Sequence, residues 1–98
     1  MKIALDAMGG DFAPAEVLKG ALLAVQEYPI ELILVGPEDV VRAAVPATHD
    51  RISISHAPEV VEMGESPAVS FRKKKESSIQ VGLRLVKDGK ADAFVSAG

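Results

Sequence analysis

Arg72-Lys73-Lys74-Lys75-Glu76-Ser77-Ser78 sets a cationic run directly before two hydroxyls. If one of those serines caps a helix, the order suits an oxyanion. First-turn N–H groups, serine donors and charge-assisted bonds from Arg or Lys would then converge on a phosphate, and the helix dipole would add about 0.3 to 1 kcal/mol per charge. The plainer alternative is a simple Ser77 cap with solvated lysines.

Three other segments have side chains or bare backbone suited to chemistry. Asp6-Ala7-Met8-Gly9-Gly10-Asp11 sets two glycines where backbone amides can approach an anion closely. It is neither GxGxxG nor a P-loop, so it does not specify a nucleotide. Its carboxylates oppose phosphate unless they accept from loop amides, cap a helix or hold a cation, and the alternative is a tight Gly9-Gly10 turn with Asp11 as a cap. His56 opens the segment HAPEVVEM, where an imidazole can donate to a ligand oxygen, move a proton near neutral pH, or tie down the loop. Val95-Ser96-Ala97-Gly98 is a small-residue turn able to face the same crevice. His56 with Glu59 lacks a third ligand at a fixed spacing, and His49 lies in a connecting loop, so no metal is expected.

These segments need a scaffold to bring them together. The chain has 98 residues, a net charge of −3, 48% hydrophobic and 26% charged residues. That composition fits one α/β domain at most, and no window approaches the roughly 20 uninterrupted apolar residues that span a bilayer. The absence of Cys excludes disulfides, thiolate nucleophiles and Cys-based zinc sites, and it fits a reducing compartment. MKIALDAMGG has too short an apolar stretch for a signal peptide, so export is not expected. Residues 72 to 90 hold seven cations and two acids, a net +5, which leaves −8 for the remainder. A cationic field on an acidic chain attracts an anion or an acidic partner, whereas a nucleic-acid domain is more often basic overall.

The periodicity reads βαβαβαβ. Lys2 to Asp6 is a predicted strand closing on Gly9-Gly10, and Val17, Leu18, Ala21, Leu22 and Val25 then form a helical stripe that stops at Pro29. Glu31 to Val35 is a second strand, followed by a short helix from Pro37 through Ala44, and Arg51 to Ser55 is a third strand. His56 to Ser66 reads as a loop. A helix then runs from a Ser77 or Ser78 cap to about Asp88, with Ile79, Gly82, Leu83 and Val86 on its inner face and Gly89 past its end. Ala93 to Ser96 is the fourth strand. Each strand but the last is followed by a helix or connection, so the expectation is one α/β lobe over residues 1–98, a fragment of a longer chain. In such a sheet, ligands bind beyond the carboxyl ends of the strands, so the candidate segments are those after Asp6, Gly36, Ser55 and Ser96.

In order, DAMGGDFAP (6 to 14), LVG (34 to 36), HAPEVVEM (56 to 63) and RKKKESS with LVKDGKADAFVSAG resemble the N-terminal part of the PlsX family, the bacterial phosphate acyltransferases of phospholipid synthesis. The resemblance covers essentially the whole chain. It implies a parallel-sheet, three-layer α/β/α lobe like that of isocitrate dehydrogenases and phosphotransacetylases, and attack of inorganic phosphate on an acyl–acyl carrier protein thioester, without a cofactor. Carried over residue by residue, it implies catalytic roles for His56, Lys74 and Lys75, and substrate binding by Gly9, Gly10, Asp11, Arg72, Ser77, Ser78, Ser96 and Gly98. It further implies a homodimer in bacterial cytoplasm, with peripheral membrane association in some members and no nucleic-acid partner. Acyl carrier proteins are acidic, which gives the 72 to 90 region a second job as a docking face. Ile79 and Gly82 stand where Met and Ala are common in the family, and a 98-residue piece alone is expected to be inactive.

Overall fold

Alternation along the strands builds the layers. The computed structural model describes residues 1–9, 14–44, 50–59, 66, 69 and 72–96. Strand β1 is Lys2–Asp6, β2 is Glu31–Gly36, β3 is Ile52–His56 and β4 is Ala93–Val95. All pair in parallel, in the order β3-β2-β1-β4. Successive strand side chains point to opposite faces. Ile3, Leu5, Leu32, Leu34, Ile52 and Ile54 therefore join one core, while Ala4, Ile33, Val35 and Phe94 join another. A parallel sheet apolar on both faces needs cover on both.

Helix α1, Ala15–Glu27, and helix α2, Glu38–Ala44, cover the first face. Leu18, Ala21 and Val25 of α1 are buried at helical spacing, and the turn of α2 contributes Val41. Tyr28 N–H closes α1 on the Ala24 carbonyl, and Pro29 follows. The guanidinium of Arg51 donates to the Val25 and Tyr28 carbonyls, capping that end from across the chain. Helix α3, Ser78–Lys87, covers the second face, packing Val81, Leu85 and Val86 against Ala4, Val35, Ala57, Ala91 and Phe94. The expected three layers are present.

Several predicted boundaries move by one residue. Strand β2 extends to Gly36 because that residue still pairs with His56, and β3 runs Ile52–His56 rather than 51 to 55. His56 therefore ends a strand instead of opening a loop. Helix α2 starts at Glu38, just after Pro37, and β4 stops at Val95. Of the predicted 56 to 66 loop, residues 60–65 lie outside the described residues, while Glu59 forms a parallel bridge with Ser77.

The inner face of α3 is also rotated from the predicted stripe. Ser78, Val81 and Gly82 are buried, whereas Leu83 is 46% exposed. Gly82, common to the predicted and observed faces, lies under the ring of Phe94 on β4, and a Cβ there would overlap it. At the far end, Gly89 has φ +76°, and the N–H groups of Gly89 and Lys90 return to the carbonyls of Val86 and Leu85. That pair of bonds with a left-handed glycine is a Schellman stop.

Candidate functional site on the carboxyl rim

Parallel pairing puts the strand ends along one edge in the order His56, Gly36, Asp6, Val95. Helix α3 leads back to the amino end of β4, so its first turn lies at the same rim. The Glu59–Ser77 bridge holds it there: Glu59 N–H donates to the Glu76 carbonyl at 3.1 Å, and Glu76 N–H donates to Glu59 Oε1 at 3.0 Å. Ser77 caps α3, its Oγ accepting from Gln80 N–H at 3.4 Å, while its own N–H donates to the Lys74 carbonyl at 3.2 Å. Both Ser77 and Ser78 are buried. Accepting at Oγ leaves the Ser77 hydroxyl proton for donation elsewhere.

Asp6 joins two of the rim segments. Its buried carboxylate accepts from Met8 N–H at 2.9 Å through Oδ1 and from the Ser96 hydroxyl at 2.8 Å through Oδ2. Of the options open for this acid, acceptance from a loop amide is the one realised. The turn continues with Gly9 N–H directed at the Asp6 carbonyl at 3.5 Å, and Gly9 is buried. Gly36 lets the Val41 and Met8 side chains close over the end of β2, since a Cβ there would come within 3.1 Å of Val41 Cγ2 and 3.3 Å of Met8 Cγ.

His56 is held differently. Its Nδ1 accepts from Glu38 N–H at 3.0 Å, satisfying one of the unpaired amides at the start of α2. An accepting Nδ1 places the ring proton on Nε2. His56 alternates with Ile52 and Ile54, so its imidazole belongs to the face covered by α1 and α2, whereas Ser77 and Ser78 belong to the face covered by α3. The rim thus carries both, on opposite faces of the sheet.

The basic residues divide as well. Lys74 is half-buried just before the α3 cap. Arg72 and Lys75, with Gln80 and Arg84, line an open hollow of about 420 Å³. Arg84 is fixed by Glu76 Oε1 at 3.0 Å and the Lys75 carbonyl at 3.2 Å. Gly10, Asp11 and Gly98 lie outside the described residues. Among the described residues, no group of three or more His, Cys, Asp or Glu could hold a metal ion, and no helix is long and apolar enough to cross a membrane. Two contacts at the rim escaped the sequence reading, the Asp6–Ser96 tie and the Glu59 clamp. An acid ending a β-run before glycines is a usable sign of the first; the second depends on a pairing between distant residues.

A three-layer unit with loops and a capped helix start on the carboxyl rim of a parallel sheet belongs to the α/β proteins that place their ligands at that rim. Sequence comparison makes this specific. The chain belongs to the family described as "Fatty acid synthesis protein", which it matches over residues 1–98. It is 55% identical to the Phosphate acyltransferase of Pelotomaculum thermopropionicum and 54% identical to that of Desulfitobacterium hafniense, all of this chain covering 29% and 30% of those proteins. The Phosphate acyltransferase of Herpetosiphon aurantiacus is 49% identical, with all of this chain covering 27% of it. The chain therefore spans less than a third of the relatives it matches.

Proposed function

We propose that the protein carrying this chain transfers an acyl group from an acyl carrier protein thioester to inorganic phosphate, and that the carboxyl rim described here is part of its phosphate site. The observation that carries this reading is the joining of three segments at one rim. The Asp6 carboxylate ties the Met8-Gly9 turn to Ser96, and the capped start of α3 lies at the same rim. The names of the relatives supply the acyl transfer.

The reaction balances without a protein nucleophile. An oxygen of HPO₄²⁻ attacks the thioester carbonyl carbon, a C–O bond forms, and the tetrahedral oxyanion collapses with cleavage of the C–S bond. The proton carried by phosphate ends on the departing carrier thiolate. What the protein must supply is position for the two reactants and donors for the developing oxyanion, and loss of one such donor costs about 3 to 4 kcal/mol of barrier. The amides at the start of α3, the Ser77 and Ser78 hydroxyls and the charge of Lys74 are suited to those tasks, while the Met8, Gly9 and Ser96 donors are taken up by Asp6 and shape the rim. Asp6 takes no part in binding phosphate on this reading; its carboxylate is occupied by Met8 N–H and Ser96. His56 acts through α2, by holding its first amide.

The test is acyl phosphate formation by the full-length protein from acyl carrier protein thioester and phosphate. The wild type is expected to form it, and Lys74→Ala to lower kcat/KM for phosphate by about ten-fold, the effect of one charge-assisted contact. No acyl phosphate from the wild type would refute the activity, and an unchanged phosphate dependence would remove Lys74 from the site.

A further inference from the structure

The hollow lined by Arg72, Lys75, Gln80 and Arg84 opens beside the rim, on the flank of α3. Gln80 and Arg84 lie one turn apart on α3, off the face that buries Ser78, Val81 and Gly82 against the sheet. The hollow is open and has about 420 Å³, several times what one phosphate ion fills. Two of its cations, Arg72 and Lys75, make no ion pair among the described residues, and Lys73 beside them is exposed and equally unpaired there. The third, Arg84, is pinned in place by Glu76 and by the Lys75 carbonyl. Fixed and free cations side by side, on the +5 segment of an otherwise acidic chain, form a surface complementary to several carboxylates at protein spacing.

We propose that this hollow docks an acidic protein surface, and that it serves the rim by delivering the thioester-bearing carrier. The proposal rests on the function read above, in which the second substrate is itself a protein. Association driven by such a surface is steered by charge and weakens with salt.

The experiment uses the full-length protein and unacylated acyl carrier protein, whose binding is followed by fluorescence anisotropy at about 50 and 200 mM salt. The double variant Arg72→Glu, Lys75→Glu is compared with Lys90→Glu, a charge reversal beyond the end of α3, and with the milder Arg72→Gln, Lys75→Gln. The expected result is salt-sensitive binding by the wild type, weakened about ten-fold or more by the double reversal, less by the Gln pair, and within about two-fold of wild type for Lys90→Glu. In turnover, KM for the acylated carrier rises in the double reversal by a larger factor than KM for phosphate. Equal carrier affinity in wild type and double reversal overturns the proposal, as does an absence of carrier binding by the wild type. A rise in phosphate KM with carrier binding intact assigns the hollow to phosphate instead, and loss of binding only to vesicles of anionic lipid assigns it to a membrane. The binding arm needs no catalysis, so a wild type that binds carrier yet forms no acyl phosphate refutes the reaction and leaves the docking surface standing.

Discussion

Asp6 Oδ1 meets Met8 N–H, and Oδ2 meets the Ser96 hydroxyl, so truncation of this one side chain leaves two donors of the rim without their acceptor. Asp6→Ala is expected to cost about 2 to 3 kcal/mol, the range for removing a buried charged acceptor, and to loosen both segments. Asp6→Asn keeps an acceptor for Met8 and should cost roughly 1 kcal/mol. Thermal unfolding of the full-length variants checks the ranking, and equal stability of Ala and Asn would show that the tie does not matter. At this scale the sequence was legible where a side chain acts locally. Ser77 was readable as a cap because its partner lies three residues away. Arg51 was read as the first residue of a strand, yet its guanidinium caps α1, and no local pattern announces a partner more than twenty residues away. For His56 the sequence left donor, proton carrier and loop tie open, and the Glu38 bond realises a tie.

Helix α3 shows what an element needs beyond its own periodicity. Residues 79, 82, 83 and 86 and residues 78, 81, 82 and 85 both satisfy helical spacing and share Gly82, and the sheet face selects the second by burying Ser78 and Val81 while Leu83 stays exposed. Gly82→Ala adds helix propensity of about 1 kcal/mol but forces a methyl into the ring, an overpacking cost of about 1 to 3 kcal/mol. Net destabilisation is expected, relieved in part by pairing it with Phe94→Leu. Gly89→Ala should cost about 1 kcal/mol because an L side chain disfavours positive φ. Hydrogen exchange of the α3 amides in the full-length protein reads both effects. Protection unchanged by Gly82→Ala would place the ring elsewhere. The strands were read to within one residue because their apolar runs end at aspartate, glycine, histidine or serine. The one-residue extensions come from ladder partners that no single segment reveals.

Across the whole molecule, two apolar sheet faces require two layers of helix, and that much follows from composition and alternation alone. The order β3-β2-β1-β4 does not, because it depends on which distant strands pair. That order determines the site: it seats Asp6 beside the end of β4, so that Ser96 reaches it, and it brings the first turn of α3 to the rim. The central claim, that these segments form a phosphate pocket, is tested most directly by titrating phosphate into isotope-labelled full-length protein and following backbone amide resonances against a chloride control. The account predicts saturable shifts confined to residues 7 to 9, 77 to 80 and 96. Saturable shifts elsewhere with these amides unmoved, or no saturable shift at all, would contradict it.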